Sequence, residues 1–307
     1  MDAFLLDSHI KHELNVPLGP QTWYGVGGNA RILAHPSSAQ QLSALAAAAH
    51  ERKMPVYVLG SGANLLVRDE GVDGLVIKLD DPAFKQLKIE KNIVTAGSGY
   101  DLAKLLLQTA KLGLGGLECL AGVPATVGGA VRMNAGGRFG DIGRSVRRVK
   151  VMDVSGHVYY RDRDDLIFSY RKSNITAKFI VEVEFELTPG DPEELMREVK
   201  KIMILKKESQ PLPEHSAGCA FKNPTVPTNT RHDGPDSKPA SAGKLIDVAG
   251  LKGARIGGAE VSGLHANFIV ANAGCTAADI FALMEHVKSV VNEQFGVTLE
   301  REVVVWP

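Results

Sequence analysis

Gly60-Ser61-Gly62-Ala63-Asn64-Leu65-Leu66 follows a short apolar β-type run, Val56-Tyr57-Val58-Leu59, and so sets a glycine turn at the end of a strand. Glycines carry no Cβ, so the backbone turns sharply and approaches a ligand closely, and successive N–H groups there form a concave anion site. A dinucleotide Rossmann fingerprint requires glycine or alanine where Leu65 stands, then a long helix. The chain continues instead through Leu66-Val67-Arg68, Gly71 and Gly74 into a second β-type run, Leu75 to Leu79. Gly25-Val26-Gly27-Gly28-Asn29-Ala30 repeats the fingerprint's letters but leads into Arg31-Ile32-Leu33-Ala34, which reads as a strand. Neither place reads as a nicotinamide Rossmann turn, and the Gly60 loop is either a phosphate turn or a plain tight turn.

The bulk properties bound the rest. At 307 residues the chain fits two or three domains, and 44% hydrophobic with 23% charged residues is a soluble globular composition. Lys plus Arg and Asp plus Glu are 35 each, so no net charge points to nucleic acid or an anionic membrane as partner. Cys119, Cys219 and Cys275 are far apart, with no C-x-x-C, which indicates neither a disulfide framework nor a metal site. Met1-Asp2-Ala3-Phe4 has an acid where a signal peptide needs basic residues, and no apolar run approaches the roughly 18 residues of a membrane span. A cytoplasmic protein is expected.

Outward from the loop, Ser38 and Gln41 are spaced as a capping box, and Leu42, Leu45, Ala46 and Ala49 give one apolar helix face. With strands at 30–35, 56–59 and 75–79, the first unit closes near residue 80. A second begins with strand 92–97 and a helix capped by Asp101 and stopped at Gly113, then strands at 146–153, 156–160 and 179–187. Asp191 caps a charged helix with Pro192 at its first position, running to about Lys207. Residues 225–240 lack periodicity and read as a mobile surface loop. A helix from Thr276 to about Phe295 carries the face Ile280, Leu283, Met284, Val287 and Val291, ends at Gly296, and precedes a closing strand Val303-Val304-Val305.

A second run of small residues, Ala121-Gly122-Val123-Pro124-Ala125-Thr126-Val127-Gly128-Gly129-Ala130-Val131-Arg132-Met133-Asn134-Ala135-Gly136-Gly137, suits backbone wrapped around an extended ligand, or tight packing and bulges. Both glycine segments occur in one order with Tyr170-Arg171-Lys172-Ser173, Gly218-Cys219-Ala220-Phe221-Lys222-Asn223-Pro224, Ala242-Gly243-Lys244-Leu245-Ile246-Asp247 and Leu299-Glu300-Arg301-Glu302-Val303. From about residue 20 to the end, the chain resembles the UDP-N-acetylenolpyruvoylglucosamine reductases, flavoenzymes of peptidoglycan precursor synthesis. Gly257-Gly258-Ala259 before Glu260-Val261-Ser262 and His265-Ala266-Asn267 fits the shorter family type, which lacks a tyrosine-bearing substrate lid. The 225–240 loop stands as an insertion beyond that pattern.

The resemblance implies an α+β fold of the vanillyl-alcohol-oxidase (PCMH) type. Its FAD-binding domain has two parts, 1–80 (with 297–307 returning to it) and 81–207, and a C-terminal α+β substrate-binding domain spans 208–296. It places Gly60, Ser61, Gly62, Ala63 and Asn64 at the FAD pyrophosphate, and Val123, Gly129, Ala135 and Gly136 along the non-covalent cofactor. It implies NADPH as co-substrate and UDP-N-acetylglucosamine enolpyruvate as substrate, with hydride transfer to C3 and negative charge developing on C2 and the substrate carboxylate. Arg171 aligns with the catalytic arginine, and a planar guanidinium suits a carboxylate that gains charge. Glu302 aligns with the catalytic glutamate, two residues from Glu300 on the same face of a strand. Cys219 stands where many members have the serine that protonates C2; a thiol with a reference pKa of about 8.5 is protonated near neutral pH and can donate. Tyr170, Lys222, Asn223, Lys244, His265 and Asn267 fall in motifs that contact substrate. A monomer or weak oligomer is expected. Two other readings stay open on sequence: a flavin oxidase of the same fold acting on an alcohol or sugar with oxygen, and a non-catalytic flavin or nucleotide-sugar sensor.

Overall fold

A computed structural model of the chain describes residue 5 and residues 9–225 and 241–307. The loop expected at 225–240 therefore lies, but for residue 225, outside the described residues. The chain divides into two compact units.

One unit comprises Met1–Val16, Ala30–Ser61 and Asp73–Leu205. Its four-stranded sheet has the order Lys11–Pro17, Asn29–His35, Val72–Lys78, Val56–Leu59. The last two strands run parallel, Val56 opposite Leu75 and Leu59 opposite Lys78, which brings the Gly60 turn beside residues 78–80. Helix Ala39–Glu51 buries Leu42, Leu45, Ala46 and Ala49 against Ile32, Ala34, Leu75 and Ile77, the face its periodicity predicts. Ser38 Oγ accepts from Gln41 N at 3.1 Å, but Gln41 Oε1 turns to Ser37 N at 2.8 Å, so the expected reciprocal box closes on the preceding residue.

The same unit holds a five-stranded antiparallel sheet in the order Val158–Asp162, Val146–Met152, Phe179–Glu186, Ile93–Gly97, Leu87–Glu90. Helix Leu102–Lys111 packs Leu102, Leu105 and Leu106 into its core, joined there by Val127, Ala130 and Val131 of the short helix Val127–Arg132. Asp101 accepts from Lys104 N at 2.8 Å, and Asp191 from Glu193 N at 2.8 Å at the start of helix Pro192–Ser209, so both predicted caps form. Strand Lys11–Pro17 is an exposed edge with Asn15 at φ +53°, and so lacks the apolar alternation that reveals a strand.

The other unit comprises Pro17–Asn29, Gly62–Val72 and Lys206–Pro307. A three-stranded antiparallel sheet, Arg255–Ile256, Ala259–Val261 and Ile269–Ala271, shares a core with helix Ala277–Phe295. That helix buries Ile280, Leu283, Met284, Val287 and Val291, opens on a Thr276–Asp279 capping box and ends on Gly296 at φ +67°. The Asp69 carboxylate accepts from Ala277 N at 2.9 Å and Ala278 N at 2.8 Å, which satisfies donors the first turn leaves open. The closing strand is Val304–Trp306, one residue later than its apolar run suggests, and it pairs parallel with Leu65–Val67.

Candidate active site

In the first unit a cavity of about 600 Å³ opens where the parallel strands end, lined by Gly60, Ser61, Ser98, Thr126, Gly129 and Arg132 among others. A Cβ on Gly60 would stand 2.9 Å from Thr126 Oγ1, so a side chain there would close the wall. Thr126 caps its helix by accepting from Gly129 N at 3.4 Å, and Ser61 Oγ donates to the Pro124 carbonyl at 3.2 Å. The two glycine segments thus meet in one wall. Ser98 Oγ is buried in that wall with no hydrogen-bond partner among the described residues, an arrangement that favours a ligand able to supply one.

The charges of the wall are predominantly positive. Lys78, Lys85, Lys104 and Arg132 line it against Asp80 and Asp101. Asp80 is paired with His35 Nδ1 at 2.8 Å, and Asp101 is taken up as a helix cap. The Arg132 guanidinium donates to the carbonyls of Ile175, Ala177 (2.6 Å) and Lys178 (3.1 Å), and no carboxylate pairs with it among the described residues. Burial holds the Arg132 pKa below the usual arginine range, and burial followed by the Arg132 charge lowers that of Lys178. Such a wall suits an anionic ligand, and its volume lies in the range of small-molecule and cofactor sites. The residues present fit FAD.

The other predicted cofactor residues sit as follows. Gly62 turns at φ +68° with its missing Cβ directed at the Gln21 carbonyl, where no side chain fits. Ala63 is half-buried, while Asn64 Nδ2 donates to the Glu302 carbonyl at 3.1 Å and the Asn64 carbonyl accepts from Val304 N at 3.1 Å. Val123 and Ala135 pack half-buried on the core of the first unit. Gly136 pairs with Asp141 in a tight hairpin in which a Cβ would stand 2.6 Å from Asp141 Cα.

Tyr170 and Arg171 form the tip of a two-stranded hairpin in which Phe168 faces Ser173 and Ser169 faces Lys172. Arg171 is left-handed, φ +54°, and its guanidinium carbon lies 5.2 Å from the centre of the half-exposed Tyr170 ring. Asn134, which the sequence reading did not single out, is buried beneath this hairpin.

In the second unit the backbone around Cys219 is pinned from two sides. Cys219 bridges Phe268, Phe221 bridges Arg301, and Glu302 N donates to the Ala220 carbonyl at 2.8 Å. Cys219 and Glu302 thus lie on adjoining antiparallel segments. Asn267 is buried, its Oδ1 accepting from Phe221 N at 3.0 Å and its Nδ2 donating to the Phe221 carbonyl at 2.7 Å. Lys222 pairs with Glu300, and Asn223 Oδ1 accepts from Ala242 N at 3.0 Å. Lys244 is exposed on helix Ala242–Val248. His265 accepts from Asn267 N through Nδ1 at 3.2 Å, which leaves Nε2 as the donor, and burial, then the Lys252 charge, lowers its pKa.

Comparison with known proteins places the chain in a family. The family model described as UDP-N-acetylenolpyruvoylglucosamine reductase, C-terminal domain, matches residues 210–306, and that described as FAD binding domain matches residues 30–160. A UDP-N-acetylenolpyruvoylglucosamine reductase of Moorella thermoacetica is 39% identical over 95% of this chain and 92% of its own length. One of Heliobacterium modesticaldum is 40% identical over 94% of this chain and 88% of its own. The crystal structure of UDP-N-acetylenolpyruvylglucosamine reductase from Thermus caldophilus superposes with a TM-score of 0.79 at 36% identity, covering 97% of this chain and 99% of that one. The α+β fold of the vanillyl-alcohol-oxidase type, implied by the resemblance, is the fold of this chain. It belongs to the UDP-N-acetylenolpyruvoylglucosamine reductase family.

Proposed function

We propose that this chain is the NADPH-dependent flavoprotein that reduces UDP-N-acetylglucosamine enolpyruvate to UDP-N-acetylmuramate, a step in making the peptidoglycan precursor. The observation that carries this reading is the family membership of nearly the whole chain, together with a cationic, glycine-walled cavity that fits FAD. When bound, FAD supplies the redox chemistry: two electrons from NADPH, delivered as hydride to C3 of the enolpyruvyl group.

The chain's own residues do the rest. Gly60, Ser61, Gly62, Ala63 and Asn64 hold the pyrophosphate, and Val123, Gly129, Ala135 and Gly136 lie along the cofactor. Arg171 binds the substrate carboxylate and steadies the charge that grows there as the C2–C3 double bond is reduced. Cys219 gives its thiol proton to C2 and recovers one from solvent, while Glu302 polarises the developing enolate. Tyr170, Lys222, Asn223, Lys244 and His265 contact the nucleotide sugar. Asn267 belongs to the same set through the backbone it clamps, since both ends of its amide hold Phe221. The domain division that goes with these roles is 1–80 with 297–307, 81–207, and 208–296. The described residues contain no helix long and apolar enough to cross a membrane. On the separate ground of the three scattered cysteines, our reading is a cytoplasmic enzyme, a monomer or weak oligomer.

The test is steady-state NADPH oxidation by the FAD-loaded protein. Oxidation that depends on the enolpyruvyl sugar, with a product heavier by two hydrogens, supports the reading. Bound FAD with no sugar-dependent oxidation refutes it.

A further inference from the structure

We infer that Asn134, seconded by Ser173, is a positioning residue that sets Arg171, an inference that rests on the catalytic role given to Arg171 above. The hairpin under Arg171 has two paired residues on each strand, extended at its base by Asn174, whose N donates to the Ile167 carbonyl and whose Oδ1 accepts from Ile167 N, both at 3.0 Å; so short a hairpin is marginal by itself. Yet Arg171 sits in the left-handed region, which a non-glycine residue keeps only where its surroundings impose it. The short run 132–134, in the segment assigned to the cofactor, grips both feet of the hairpin. Asn134 Nδ2 donates to the Ser169 carbonyl at 2.9 Å, immediately before the tip, and Ser173 Oγ donates to the Arg132 carbonyl at 2.9 Å, just after it.

Asn134 is itself fixed. It is 2% exposed, has φ +45°, and its Oδ1 accepts from Gly143 N at 3.0 Å. Gly143 has no room for a side chain: a Cβ there would stand 2.7 Å from Phe168 Cβ and 2.8 Å from Asn134 Oδ1, so the Asn134 amide sits close against this backbone. The carboxamide therefore ties the backbone at Gly143 to the foot of the hairpin that carries the arginine. Reactive geometry is sensitive on the ångström scale, so loosening this link should lower the rate with which substrate is reduced and leave flavin reduction by NADPH alone.

Asn134→Asp separates the two halves of the carboxamide. It keeps an acceptor for Gly143 and a residue type that tolerates positive φ, but sets a carboxylate oxygen against the Ser169 carbonyl. In the FAD-loaded enzyme, reduced first by NADPH and then mixed with the enolpyruvyl sugar, Asn134→Asp is expected to slow flavin reoxidation about 10- to 100-fold. Ser173→Ala, which carries little folding risk, is expected to slow it about 3- to 10-fold. If both act through Arg171, neither adds more than about twofold in an Arg171→Gln background. Hydrogen exchange of the cofactor-free chain over residues 167–174 should be faster in Asn134→Asp. Losses that multiply with Arg171→Gln, or wild-type reoxidation in both variants beside a slow Arg171→Gln, overturn the positioning role alone. Wild-type reoxidation in Arg171→Gln overturns the role of Arg171 and the positioning role with it. If Asn134→Asp fails to fold, Ser173→Ala decides by the same comparison.

Discussion

The backbone N–H of Glu302 donates to the carbonyl of Ala220 at 2.8 Å, so the glutamate nearest the C-terminus is registered one residue from Cys219. The pairing continues in the Phe221–Arg301 bridge and in the bond from Lys222 N to the Glu300 carbonyl at 2.8 Å. Asn64 holds the same segment from the other side through the Glu302 carbonyl. An acid and a thiol far apart in sequence are thereby held on neighbouring backbones.

The thiol is expected to be the proton donor. Cys219→Ala should leave NADPH reduction of the flavin near normal and slow transfer to the sugar about 100-fold or more, the scale of a lost general acid. Cys219→Ser should retain transfer, since a hydroxyl offers a proton from the same place. Rapid-mixing measurement of the two half-reactions checks this, and near-normal transfer in Cys219→Ala removes the thiol from the mechanism.

Asn267 bonds both backbone groups of Phe221 from a buried position. Asn267→Ala leaves a buried N–H and C=O without partners and should cost about 2–4 kcal/mol. Urea unfolding measures it. A change below about 0.5 kcal/mol would show that the surrounding ladder holds the segment unaided.

Asp69 completes the N-terminus of helix Ala277–Phe295 through Ala277 N and Ala278 N. Asp69→Ala should lower stability by about 1–2 kcal/mol, a cap and a helix-dipole interaction lost together. The melting temperature should fall by about 2–4 °C per kcal/mol. Asp69→Asn, which still accepts hydrogen bonds, should recover part of the loss.

Burial, with the Asp279 and Asp69 charges, pushes the Cys275 thiol up to about 11. At pH 8 it should react with iodoacetamide about 100-fold more slowly than an ordinary cysteine, because the thiolate is the reactive form. The folded state keeps a proton there that the unfolded chain gives up, so this group's contribution is present below pH 9 and is lost as pH rises towards 11. Peptide mapping after alkylation across that range checks both rate and direction.

Much of this was legible in the sequence because it is written locally. Helix Ala277–Phe295 announces itself through an apolar face at helical spacing, Thr276 before it and Gly296 after it. The Gly60 turn was legible through the strand that feeds it and the glycines that follow. Strand Lys11–Pro17 was not, because a solvent-facing edge carries no alternating pattern. The parallel pairing of Val304–Trp306 with Leu65–Val67 was not legible, since register across so long a separation has no local signature; the resemblance implied only that the C-terminal residues return to the first domain. Asn134 was missed for a similar reason: its importance lies in two backbone groups, Gly143 N and the Ser169 carbonyl, whose proximity only the fold reveals. Ser98 is another case, an unremarkable serine until the cavity wall forms around it.

The most direct measurement follows the colour of the flavin without air. The FAD-loaded protein is bleached with one equivalent of NADPH and then mixed anaerobically with UDP-N-acetylglucosamine enolpyruvate. The yellow of oxidised flavin should return on the timescale of turnover, with stoichiometric UDP-N-acetylmuramate, and simple alcohols or sugars should do nothing to the oxidised enzyme. Flavin that stays bleached with the sugar and regains colour only when oxygen is admitted would contradict the reductase reading and point to an oxidase.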